Sequence, residues 1–162
     1  MKVQEFKILF VCMGNICRNP TAKAVFSKKI SALGLSRKVT VDSAGTHNFH
    51  PNSPPDERSQ IHALKRGYDL SNLRARSVVE GDFKEFDLIL TMDWENRALL
   101  EQRCPSKHLH KVRSFAEFLQ TTEVSVIPDP YFGGEEGFEH VLNLIEEASE
   151  GLAKFVLQKI GA

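Results

Sequence analysis

The chain has only three cysteines, Cys12, Cys17 and Cys104, among its 162 residues. Their number is odd and no C-x-x-C pair occurs, which excludes a disulfide framework and leaves a zinc site without its usual ligand spacing. A reducing, cytoplasmic compartment is the expectation. Charge has no prevailing sign either, because 21 basic residues balance 21 acidic ones. That balance removes the broad electropositive footprint of a nucleic-acid binder. No apolar run approaches the ~20 residues that span a bilayer, and the opening MKVQEFKILFVCMG lacks a signal-peptide layout. Repeats, low-complexity tracts and Pro/Gly/Ser linkers are also missing, so a single domain over residues 1–162 is expected.

What is present has the balance of a globular domain, with 41% hydrophobic and 26% charged residues, enough to bury a substantial core. SKKISALGLSRK is locally basic and GGEEGFEHVLNLIEEASE locally acidic; both read as solvated helix faces and loops.

Strand-length apolar runs alternate with helical patterns. KILFV (7–11), KVTVDSAG (38–45) and FDLILTM (86–92) read as strands, and HKVRSF (110–115) as a weaker fourth. After the first strand, Asn19 is a favoured N-cap, Pro20 suits the first helical position and Gly34 the C′ position. Ala22, Val25, Phe26, Ile30 and Leu33 follow the helical period between them. DERSQIHALKRG is a helix closed by Gly67, and DWENRALLEQR one capped by Asp93. Ser114 and Glu117 match a capping box. IPDPYFGGEEG (127–137) is a turn-rich loop. The clearest helix runs from Phe138 to Ile160 on a stripe of Phe138, Val141, Leu142, Ile145, Ala148, Leu152, Phe155 and Val156. This alternation predicts a four-stranded parallel sheet with helices on both faces, a flavodoxin-like three-layer α/β sandwich. Ligands bind outside the carboxyl ends of such strands, which is where Cys12, Ser43 and Asp93 fall.

The connection CMGNICRNP is the most informative stretch. A short excursion between a strand and a helix N-terminus turns successive backbone N–H groups toward one point, and the helix dipole adds to it. Gly14 allows close backbone approach, and Asn15 tolerates a left-handed conformation. Arg18 suits a bidentate clamp on phosphate. A thiol at the bottom of such a cup loses one to several units from its usual ~8.5 and becomes a nucleophile aimed at phosphorus. The C-x5-R spacing favours this reading over a buried structural cysteine.

VCMGNICRNPTA, DSAGT and DPYFGG together resemble the low-molecular-weight protein tyrosine phosphatases, in the same order and over nearly the whole chain. The resemblance implies a phosphomonoester hydrolase that removes phosphate from protein tyrosine and small aryl phosphates through a phosphocysteine. Cys12 would be the nucleophile, Arg18 the phosphate clamp and Asp129 the general acid and base. Met13, Gly14, Asn15, Ile16, Cys17 and Arg18 would bind phosphate. No metal or cofactor is implied. Partners would be phosphotyrosine proteins, neither nucleic acid nor membrane, and the chain a monomer or weak dimer.

Two positions depart from the family pattern, which usually has Ser at Asn19 and His at Asn72. With Asn15 and Ser43, these side chains are expected to support the loop; the Asn19 amide would serve as both cap and thiolate donor. Phe49, Trp94, Tyr131 and Phe132 fall on three loops around the cup as a substrate rim. Cys17 reads equally as a reversible disulfide partner for Cys12 or as a small buried residue. Relatives that hydrolyse phosphoarginine carry Thr at the place of Ile16, which disfavours that alternative. An arsenate reductase needs a further cysteine pair, and only Cys104 is present. A non-catalytic phosphotyrosine-binding module would not require Cys12, Arg18 and Asp129 together.

Overall fold

The computed structural model describes residues 5–13, 18–47, 52–130 and 134–161. Its elements are β1 (Phe6–Cys12), α1 (Arg18–Ala32), β2 (Val39–Gly45), α2 (Glu57–Lys65), α3 (Glu80–Glu85), β3 (Leu88–Thr91), α4 (Trp94–Arg103), β4 (Val112–Ser114) and α5 (Gly134–Ile160). The strands form one parallel sheet in the order β2-β1-β3-β4, with Phe10 opposite Ser43, Ile8 opposite Leu88 and Ile89 opposite Val112.

The period of two along β1 divides the core. Ile8, Phe10 and Cys12 face α1 and α5, where they meet Val25, Phe26, Ile30, Ile145 and Leu152. Leu9 and Val11 face the opposite way, onto Phe83, Phe86 and Leu100. The three-layer sandwich follows, because each strand face needs an apolar cover. Phe10 is fully buried, with Phe115 edge-on at 4.9 Å and Phe26 at 6.2 Å; burial of each such ring contributes roughly 1.5–3 kcal/mol.

Local signals that rest on backbone chemistry are met. Gly34 (φ 74°) and Gly67 (φ 88°) adopt the left-handed conformation that ends a helix. Asp93 caps α4 by accepting from Asn96 N at 2.9 Å. The Ser114–Glu117 capping box is present as expected, Ser114 N donating to Glu117 Oε1 at 3.3 Å, and it opens a 3-10 turn over Phe115–Phe118. Other expectations are corrected. Leu33 is 43% exposed, beyond the buried stripe of α1. The fourth strand shrinks to Val112–Ser114, preceded by a 3-10 turn over Ser106–Lys111. The loop read over 127–137 gives way to helix at Gly134, where Glu135 and Glu136 suit the positive end of the dipole. α3 had no periodic signal in six residues; Asp82 fixes it by accepting from Val79 N at 2.8 Å and pairing with Arg76 at 3.0 Å.

Two features of α5 secure the long connection that leads to residue 129. Glu147 accepts from the backbone N–H of Gln120, Thr121 and Thr122 and from both threonine hydroxyls, and these bonds lower its pKa from 4.5 to about 2. A depressed carboxylate contributes stability above its unfolded pKa and loses it as pH falls through the folded one. Glu147→Gln should therefore flatten the fall in stability between pH 4.5 and 2, read by urea unfolding across that window. Gly151 lies against the neighbouring backbone, and a Cβ there would stand 1.9 Å from Phe118 O. An exposed helical Gly→Ala change gains ~1 kcal/mol, but Gly151→Ala should instead cost about 3 kcal/mol. A neutral midpoint in denaturant would show that this contact relaxes freely.

Candidate active site

Cys12 ends β1 at the carboxyl edge of the sheet and is 3% exposed. Its carbonyl accepts from Thr46 N at 2.8 Å, and that of Met13 from His47 N at 2.9 Å, so the chain after β2 continues alongside. Arg18 opens α1, also 3% exposed. The expected phosphate-binding residues Gly14, Asn15, Ile16 and Cys17 lie outside the described residues, as do Phe49, Tyr131 and Phe132 of the expected rim.

A buried guanidinium must be satisfied by partners. Arg18 Nη1 donates to Asp93 Oδ2 at 2.8 Å and to the Ile127 carbonyl at 2.9 Å. Burial pulls the guanidinium toward its neutral form, but negative charge at Cys12, Asp93 and Asp129 outweighs this and holds its pKa above the usual value. Ile127 is itself fixed, its N–H donating to Met92 O at 2.7 Å. Asp129, two residues on, is exposed to solvent. Arg18 thus brings together groups from three separate stretches of chain around the start of α1: the end of β1, the cap of α4, and the connection carrying both Ile127 and Asp129.

Sequence reasoning placed Asp93 on the rim and at the helix cap but missed its second partner. One oxygen caps α4 and the other holds Arg18. A capping Asp directly after a central strand was the available signal. Ile127, an apolar residue acting through its carbonyl, left no signal at all.

The support residues fare differently. Asn19 lies inside α1, so it does not cap it. It is fully buried, and its Nδ2 donates to Ala44 O at 2.6 Å, tying the first turn of α1 to β2. Its Oδ1 is buried and has no hydrogen-bond partner among the described residues. Ser43 is buried within β2, not past its end. Asn72 is exposed in the turn at 71–72. Trp94 follows Asp93 on the rim, 56% exposed, with the Arg97 guanidinium 6.0 Å from its ring.

Asp93→Asn keeps a capping oxygen but removes the negative charge that faces Arg18. It should weaken binding of inorganic phosphate by about 10-fold while shifting stability by less than ~1 kcal/mol. Calorimetric titration and urea unfolding check the two halves; unchanged phosphate affinity would remove Asp93 as the anchor of Arg18.

Comparison with known proteins gives the same picture over almost the whole chain. The family model for low molecular weight phosphotyrosine protein phosphatase matches residues 7–161. A low molecular weight protein-tyrosine-phosphatase of Bacillus subtilis is 36% identical over 145 residues, 90% of this chain and 92% of its own. The human low molecular weight phosphotyrosine protein phosphatase is 37% identical over 137 residues, 83% and 85% of the two chains. A crystal structure of a protein tyrosine phosphatase from Entamoeba histolytica superposes with a TM-score of 0.91 at 40% identity, covering 97% of this chain and 99% of that one. With its sheet order and its buried Cys12 and Arg18, the chain belongs to the low molecular weight phosphotyrosine protein phosphatase family.

Proposed function

We propose that Cys12, Arg18 and Asp129 carry out phosphotyrosine hydrolysis in this phosphatase. The observation that carries the reading is Arg18, fixed through Nη1 to Asp93 and Ile127 and under the charges of Cys12 and Asp129. With one nitrogen committed to the protein, Nε and Nη2 of the planar fork remain to meet two phosphate oxygens. The Cys12 thiolate that attacks phosphorus lies close enough for its charge to act on Arg18.

In the first step the Cys12 Sγ lone pair forms the S–P bond as the bond from phosphorus to the tyrosine oxygen breaks. The departing electron pair stays on that oxygen, which takes the proton from Asp129. In the second step water attacks phosphorus and gives a proton to Asp129, and the S–P electron pair returns to sulfur as thiolate. Orthophosphate leaves. Asp129 is exposed, which suits a group that must meet both a phenol oxygen and water. Asn19 supports the loop by holding α1 to β2 through Ala44 O, and Trp94 offers an exposed ring to the substrate.

Phosphotyrosine proteins are the proposed substrates, met by one domain acting in the cytoplasm as a monomer or weak dimer. Among the described residues no helix is long and apolar enough to cross a membrane.

Hydrolysis of an aryl phosphate at mildly acidic pH tests the roles. Cys12→Ser should abolish turnover, and Asp129→Ala should lower it by roughly 10²–10³-fold. Absence of turnover by the unaltered protein would sink the reading.

A further inference from the structure

The residue after Asp129 is built into a second, separate piece of packing. Pro130 is buried and, with Thr21, Ser59, His62 and Phe138, lines a cavity of about 10 Å³. That is room for one water at most, so a movement of any wall is felt by the others. The first turn of α5 also lies against the Pro130 backbone: a Cβ on Gly137 would be 3.5 Å from Pro130 O and 3.8 Å from its Cα.

His62 forms the far side of this packing. It is 7% exposed, and its ring stacks on Phe138 at 5.3 Å with the planes 4° apart. The Arg58 guanidinium lies 4.9 Å from the Phe138 ring as well. His62 Nδ1 is 2.5 Å from Glu139 Oε2. Arg66 first and His62 second hold that carboxyl below its ordinary range, so it is ionised and the ring N–H donates to it. The contact continues along the α2–α5 seam. Arg66 bridges Glu139 at 2.8 Å and Glu146 at 2.5 Å, and the Tyr68 hydroxyl donates to Glu146 at 2.7 Å. Burial and Glu146 push the Tyr68 phenol up to about 12, which keeps it a donor.

Glu139 and Glu146 are partly exposed, so this ladder adds little to global stability. Its geometric effect is larger: it fixes the plane of the imidazole, and the imidazole fixes Phe138 beneath Pro130. We propose that His62, through Glu139 and Phe138, is a positioning residue for Asp129. The proposal rests on Asp129 being the general acid. On one side Asp129 is held by Ile127, on Arg18 and Met92; on the other it is held by Pro130, on Phe138 and His62.

The leaving group provides the test, because kcat/KM reports the step in which the phenol departs. Phenyl phosphate needs the proton from Asp129, whereas an aryl phosphate with a strongly acidic phenol departs without it. His62→Ala should lower kcat/KM for phenyl phosphate by about 10-fold and change the activated substrate by less than ~2-fold. His62→Asn, which can donate to Glu139 from a similar place, should recover much of the loss. Glu139→Gln provides a second variant and should show the same discrimination at roughly 3-fold, even where His62→Ala fails to fold. Equal loss on both substrates, or none on either, would overturn the proposal. In an Asp129→Ala background, His62→Ala should add no further discrimination; an additional selective loss would overturn it too. Should Asp129→Ala alone fail to discriminate, the acid assignment falls, and the positioning proposal falls with it.

Discussion

The buried guanidinium of Arg18 is the constraint around which the site is arranged. A charge this far from water is tolerated only when it is paired and hydrogen-bonded. Here the partners come from distant stretches of chain: Asp93 at the cap of α4, the Ile127 carbonyl, and the charges of Cys12 and Asp129. Satisfying one cation therefore fixes the relative positions of the proposed nucleophile, clamp and acid. It also explains why an apolar residue, Ile127, belongs to the site: its carbonyl points to Arg18 while its N–H is taken by Met92.

Sheet topology sets where this can happen. From β1 the chain moves outward to β2 on one side, and later returns to place β3 on the other. The order reverses between β1 and β3, and a doubly wound sheet opens a crevice at such a point. Cys12 ends β1 and Arg18 follows it, and Asp93 follows β3, so the two sides of the crevice meet in the Arg18–Asp93 pair. Both helices that begin here, α1 and α4, direct their positive ends to the same edge.

Residues 119–129 of the connection carry no helix or strand, and they are restrained from outside. Glu147 gathers the backbone of residues 120–122, Arg18 and Met92 take Ile127, and the first turn of α5 packs on Pro130. α5 thus covers one face of the sheet and also braces the segment of the proposed acid. Its buried stripe serves the core, while Glu139, Glu146 and Glu147 along its exposed side fasten α2 and this connection.

The strands, the main helices and the parallel sheet were legible in the sequence because they depend on near neighbours. Alternation along β1, the helical stripes, the glycines at helix ends and the Asp93 cap each act over a few residues. Features that require distant partners were not legible. α3 needs Arg76 beside Asp82, the glycine-rich start of α5 needs its packing on Pro130, and Asn19 turns from cap to tie only because Ala44 O lies within reach. By itself the sequence determined the α/β class and, through its motifs, the family; the anion-binding loop and the pairing of Cys12 with Asp129 rest on that resemblance as proposals. The tertiary structure alone decided that Arg18 would be held by Asp93 and Ile127, residues 75 and 109 positions away. A local pattern cannot encode which carbonyl or carboxylate will meet a buried charge; that is settled when the strands pair and the core closes.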